Sequence, residues 1–148
     1  MEGINTKYAE VVRDFESFFN RHAEIKTFID AQTANYQAKT DNLYAMAVLC
    51  PITTTLAENS LEINFNLFCI DRLNQDNSNL RSVLNTMLEV CKDFKGHLMA
   101  HDEWTVTENI ICTELEETFD DIVAGWVMSF SVIVPQEYGD CFAPVDNE

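Results

Sequence analysis

From Trp126 to Val134 the chain alternates without interruption, with Trp126, Met128, Phe130, Val132 and Val134 on one side and Val127, Ser129, Ser131 and Ile133 on the other. Successive side chains of an extended chain point to opposite faces, so this pattern specifies a strand with one apolar and one mixed face. An apolar face of this size must be flanked by other strands and covered by a second layer, which makes the strand central to whatever the chain builds. It is entered through Asp121-Ile-Val-Ala-Gly125 and left through Pro135, and it offers neither a metal ligand set nor a phosphate-binding loop.

The flanking strands have their own signatures. Leu61, Ile63, Phe65, Leu67 and Cys69 alternate with Glu62, Asn64 and Asn66, the pattern of a half-buried strand. Before it, Leu43 to Thr55 runs extended and is apolar on both faces until Pro51, which cannot donate to a ladder and so ends or bulges the strand. Glu58-Asn59-Ser60 between the two is a turn by composition, so the pair is expected to form an antiparallel hairpin. Trp104, Val106, Ile110 and Cys112 alternate against Thr105, Thr107, Asn109 and Thr113, with Glu108 interrupting; this reads as a strand at an edge or with one wet face. Ile25 to Asp30 reads as either a last helical turn or a short strand, its β-branched and aromatic content favouring the strand, and Gln32 to Asn42 is an exposed loop.

Two segments carry helical spacing. Tyr8, Val11, Val12, Phe15, Phe18 and Phe19 define an amphipathic helix over Asn5–His22. Leu80, Val83, Leu84, Met87, Leu88, Cys91, Phe94 and Leu98 define a second, with Ser78 as its N-cap and Gly96 weakening its end. One domain over 1–148 follows, of the α+β class: a single antiparallel or mixed sheet of about four to five strands, with two amphipathic helices packed on one face and a polar tail after Gln136. Phe65, Leu67, Leu84, Met87, Trp126, Met128 and Phe130 are its expected core.

Catalytic and metal chemistry finds little footing. The five cysteines are widely spaced without a Cys-x-x-Cys pair, as reduced core cysteines are, and no zinc site is expected. His97 and His101 would share a helix face, but they follow Gly96 at a helix end, where histidine is favoured by the helix dipole alone. Asn74-x-Asp76-x-Ser78 begins like a calcium loop and then fails, with Asn79 where glycine is required and Asn85 where the closing acid belongs. Glu114, Glu116, Glu117, Asp120 and Asp121 are too crowded and too polar for a desolvated acid–base pair. Gly3, Gly96, Gly125 and Gly139 are too dispersed for a phosphate loop. The expectation is a protein that is not an enzyme and takes no cofactor.

With 9 basic and 25 acidic residues the net charge is −16, which disfavours binding nucleic acid or an anionic membrane through a broad basic patch. It does suit a wall past which a polyanion must move without sticking, and Glu108, Glu114, Glu116, Glu117, Asp120 and Asp121 are the candidate acidic surface. No apolar run is long enough to span a membrane and the first residues lack a signal-peptide pattern, so a soluble protein not exported by that route is expected. Tyr36, Trp104, Tyr138 and Phe142, placed in loops, at the edge strand or in the tail, together with Val106, are candidates for an oligomer interface.

Several of these segments occur in a familiar order. Tyr44–Pro51 is a strand ending in proline, Leu61–Asp71 runs into Asp-Arg-Leu, and Asp-Asn-Ser-Asn leads into the second helix. Phe119-Asp-Asp-Ile-Val-Ala-Gly-Trp-Val then enters the last strand, which ends in Val-Pro and is followed by Cys141-Phe-Ala-Pro. From about Ile25 onward the combination resembles structural proteins of tailed bacteriophages of Bacteroidetes, including the crAss-like phages, and is similar to small tail-completion and tail-terminator ring proteins. The loop after Ile29 departs from that pattern, being polar and without glycine. The resemblance implies a structural virion protein of the neck (head–tail connector) or tail, assembled in the bacterial host cytoplasm. It would form a homo-oligomeric ring of roughly six or twelve copies around the DNA passage. Its partners would be itself and neighbouring portal, neck or tail proteins, with DNA only in passage and no membrane. The alternative from the charge alone is an acidic DNA mimic that binds and inhibits a host DNA-binding protein.

Overall fold

The structure is a computed structural model that describes residues 6–30, 44–107, 109–118 and 122–138. In chain order its elements are helix α1 (Tyr8–Arg21), strands β1 (Thr27–Asp30), β2 (Met46–Leu56) and β3 (Ser60–Arg72), helix α2 (Leu80–Met99), and strands β4 (Thr105–Val106), β5 (Ile111–Thr118) and β6 (Ile122–Pro135). All strands join one 6-stranded mixed sheet in the order β1-β2-β3-β6-β4, with β5 also on β6. Only the β1–β2 pair is parallel among the described pairs. The fold is therefore α+β, as the sequence implies, and β6 is central, with β3 along one side and β5 and β4 in succession along the other.

Register explains the two faces. Phe65 opposes Phe130, Leu67 opposes Met128 and Cys69 opposes Trp126, so the apolar sides of β3 and β6 coincide beneath both helices. Phe15 of α1 is the hub of that core, packing edge-on against Phe94 at 5.0 Å, Phe65 at 5.6 Å, Phe130 at 6.0 Å and Trp104 at 6.3 Å between ring centroids. On the opposite face, Met46, Val48, Cys50, Ile70 and Val123 form a second buried cluster at one end. The other end of that face is polar: Asn64 donates to Thr53 Oγ1 at 2.8 Å, Ser129 donates to Asn66 Oδ1 at 2.8 Å, and Ser131 donates to Asn64 Oδ1.

Gly125 sits on β6 opposite Ile70 of β3, with the Cys69 carbonyl against its Cα. A Cβ there would lie 1.9 Å from the carbonyl oxygen of Cys69, so no side chain fits without separating the strands.

Three local expectations are corrected. The strand expected over Trp104–Thr113 is two pieces, β4 ending at Val106 opposite Val132 and β5 beginning at Ile111 opposite Ser129, so the register along β6 shifts between them. The acidic run Glu114 to Asp121, whose composition reads as a lead-in to the central strand, instead supplies the second half of β5, paired through Glu117↔Val123 and Thr118↔Ile122. Ser78 is not the N-cap of α2, since its hydroxyl accepts from Asn74 Nδ2 at 3.0 Å and its N–H donates to Asp76 Oδ1 at 3.0 Å. Asn79 precedes the helix, and its side chain ties the connector back, donating to the Arg72 carbonyl at 3.2 Å and accepting from the Asn74 N–H at 2.8 Å. Pro51 does bulge β2 as expected, and the strand continues to Leu56.

Candidate functional site

The first unusual surface is the distal limb of the β2–β3 hairpin. β1 accompanies β2 only from Met46 to Leu49, and beyond it every residue from Pro51 to Leu56 is exposed. Ile52 is 54% and Leu56 71% exposed, which is high for aliphatic side chains in a strand. No described strand pairs with the outer edge of this limb, and Pro-Ile-Thr-Thr-Thr-Leu carries no charge. A bare β-branched edge of this kind is a template for another chain, blunted here by Pro51 and its bulge. The charges nearest along the chain are both acidic, Glu58 in the turn and Glu62 on β3.

The second surface lies at the start of α2. Val83, Met87, Val90, Cys91, Phe94 and Leu98 bury the helix on the sheet. Leu80, Leu84 and Leu88, spaced by four, form an adjoining row that is only half-buried. With Trp126 they line an open groove of about 1060 Å³ in which Arg81 is the one charged side chain among the described residues. The Trp126 indole N–H donates to the Leu84 carbonyl at 2.9 Å, fixing the ring at the groove wall. Glu114 opposes Trp126 on β5 and is exposed, outside the groove lining.

A third constellation joins the helices. Asp14 of α1 meets His97 Nε2 at 2.7 Å through one carboxylate oxygen and His101 Nε2 at 3.4 Å through the other, while His22 Nε2 meets Asp93 at 2.9 Å. His101 stacks on Trp104 with centroids 3.6 Å apart and planes at 15°. Backbone N–H groups donate to His101 Nδ1 at 3.2 Å, from Glu103, and to His22 Nδ1 at 3.1 Å, from Glu24. Those bonds place the ring proton on Nε2, where it is donated to the carboxylate, and they leave no Nε2 lone pair for a metal. The cluster is a clasp between α1 and the end of α2, and no group of three or more metal-ligating residues forms among the described residues.

The thiols of Cys91 and Cys112 are held protonated. Contact with Cys69, followed by burial, raises the Cys91 thiol far above its ordinary range, and burial with the neighbouring Cys91 pushes Cys112 up to about 11. Such thiols are inert as nucleophiles at neutral pH.

The expected interface residues are only partly brought together. Trp104 is 3% exposed, enclosed by Phe15 and His101, so it belongs to the core rather than to a free surface, which corrects the expectation for it. Val106 is half-buried opposite Val132, and Tyr138 is 48% exposed beside the hairpin, its hydroxyl donating to the Ser60 carbonyl. Tyr36 and Phe142 lie outside the described residues. Of the acidic set, Glu114 is exposed on β5, and Glu116 and Glu117 lie on the same strand opposite Ala124 and Val123. Glu108, Asp120 and Asp121 lie outside the described residues.

Phe65, Leu67, Met87, Met128 and Phe130 are buried as expected, whereas Leu84 and Trp126 are half-buried, each lining the open groove beside α2. The residues that sequence reasoning missed are Ile52, Leu56, Leu80, Arg81 and Leu88; the signal for the first two was a strand that stays uncharged past its proline. No helix among the described residues is long and apolar enough to cross a membrane. No protein-family model and no curated protein matches the chain.

Proposed function

We propose that this protein is a structural subunit that assembles with itself into a closed ring, serving in the neck or tail of a tailed phage around the DNA passage. The observation that carries the reading is the hairpin limb Pro51–Leu56, uncharged, exposed at every residue and without a strand on its outer edge among the described residues. A monomer gains nothing from presenting Ile52 and Leu56 to water, whereas a neighbour that covers them removes apolar area worth about 25 cal/mol per Å². The sheet has unlike margins, a short parallel β1 at one and the acidic β5 at the other; a contact between unlike surfaces of two copies is heterologous, and heterologous contacts that close make rings. A net charge of −16 suits a passage along which DNA slides without adhering. The phage setting, a ring of roughly six or twelve copies and the portal, neck or tail neighbours rest on the family resemblance of the sequence.

The DNA-mimic reading draws on the same charge but needs it concentrated on one surface. Exposed acids are instead spread over α1 (Glu10, Glu16), the hairpin turn (Glu58), α2 (Glu89, Asp93) and β5 (Glu114). Electron microscopy of the purified chain tests the ring reading: closed annular particles are expected. A monodisperse monomer that captures a host DNA-binding enzyme would favour the mimic instead.

A further inference from the structure

Resting on that ring reading, we propose that the hairpin limb Pro51–Leu56 of one copy seats in the α2–Trp126 groove of the next. Within one copy the two surfaces cannot meet. Leu56 is aligned through Leu61 with Val134, and Ile52 lies level with Phe130 and Ser131, so along β6 they stand about 27 Å and about 14–17 Å from Trp126 at the usual rise of an extended strand. Surfaces held apart on a rigid sheet can satisfy each other only between copies, and in one direction.

Their chemistry matches. The limb offers Ile52, Leu56 and three threonines without a charge, and the groove offers Leu80, Leu84, Leu88 and the face of Trp126. At about 1060 Å³ the groove is as large as pockets that take whole small molecules, so several side chains fit. The charges flanking the limb and the charge inside the groove are opposite in sign, while Asp76 and Glu114 stand at the groove's rim beside Ser78 and Trp126. Glu58 and Glu62 flank the limb, and Arg81 is the charged side chain of the groove among the described residues. In a chain of net charge −16 most pairs of surfaces repel, so a local acid-to-arginine match selects this contact over others. Trp126 is a preformed anchor. Its N–H is already bonded to Leu84, so docking an aliphatic side chain against its ring strands no polar group.

The test uses the full chain and native mass spectrometry. Ile52→Asp with Leu56→Asp disables the limb at exposed positions. Leu80→Asp with Arg81→Glu disables the groove in the first turn of α2, where acids favour the helix. Circular dichroism checks that both variants are folded. Each variant alone is expected to be monomeric where the unaltered chain forms rings, with association weakened at least about tenfold. An equimolar mixture is expected to give a one-to-one heterodimer, because each variant retains the surface the other lacks. Glu58→Arg combined with Arg81→Glu should restore assembly that Arg81→Glu alone weakens. Rings persisting in both folded variants, or no heterodimer on mixing, would overturn this seating while leaving the ring reading intact. A monomeric unaltered chain would overturn the ring reading itself, and the seating with it.

Discussion

Trp126 donates its indole N–H to the carbonyl of Leu84, joining the central strand β6 to α2 across 2.9 Å at the margin of the helical layer. The bond turns the largest side chain of the central strand into a boundary residue, with one side against the core and the other lining the groove. That placement separates its contribution to folding from its contribution to assembly.

Trp126→Phe removes the hydrogen bond and keeps an aromatic ring. We expect a loss of about 0.5–1.5 kcal/mol in urea denaturation, the net value of one such bond. Trp126→Ala is expected to cost about 2–3 kcal/mol, below the roughly 3–5 kcal/mol of a fully buried aromatic, because the ring is half-buried. A cost at the top of that range would mean that the groove face is not open.

Phe15 should be the most sensitive core position. It is fully buried and touches four aromatic rings from α2, β3, β6 and the β4 approach. Phe15→Ala is expected to cost about 3–5 kcal/mol, a large part of the stability of a domain of this kind. Chemical denaturation measures it, and a loss under about 1 kcal/mol would contradict the hub role.

Gly125→Ala adds one methyl group to a chain that has no room for it, 1.9 Å from Cys69 O. Because the obstacle is backbone, β3 and β6 must move apart, and a loss of about 1–3 kcal/mol or more is expected in the same assay. An unchanged midpoint would mean that the two strands do not approach as closely as the structure places them.

Burial raises the carboxyl of Asp71 above its ordinary range, against the opposing pull of the Arg72 N–H and guanidinium. A carboxyl raised on folding contributes stability that is fully present below its unfolded-state value, about 3.9, and lost as pH rises through the folded-state value. The stability of the natural chain should therefore fall relative to Asp71→Asn as pH rises from about 3 through that window and then level off. Parallel curves for the two proteins between pH 3 and pH 7 would contradict the desolvated carboxyl.

With its thiol pushed up to about 11, Cys112 should be alkylated by iodoacetamide at pH 8 roughly two orders of magnitude more slowly than a free cysteine. Peptide-level mass spectrometry reads the rate, and labelling at the rate of a model thiol would place Cys112 in water.

The central part of the fold was legible because it rests on local periodicity. The alternations around Phe65 and Phe130 and the helical spacing around Phe15 and Phe94 each imply one buried face, and the structure puts those faces together. β5 was not legible, since Glu114, Glu116 and Glu117 look like a solvated turn. An edge strand needs partners on one side only, and charge protects the other. Trp104 misled for a related reason, as its enclosure comes from Phe15 and His101, the first far away in sequence. The groove was hidden inside a correct reading: Leu80, Leu84 and Leu88 extend the apolar stripe of α2, and periodicity does not reveal which part of a stripe its neighbours leave uncovered.

The mass of the particle that the full chain forms tests the ring most directly. Native mass spectrometry across a concentration series should give a single dominant species at a whole multiple of 16.9 kDa, unchanged on dilution until the ring dissociates. A sole species of 16.9 kDa at every concentration would contradict it.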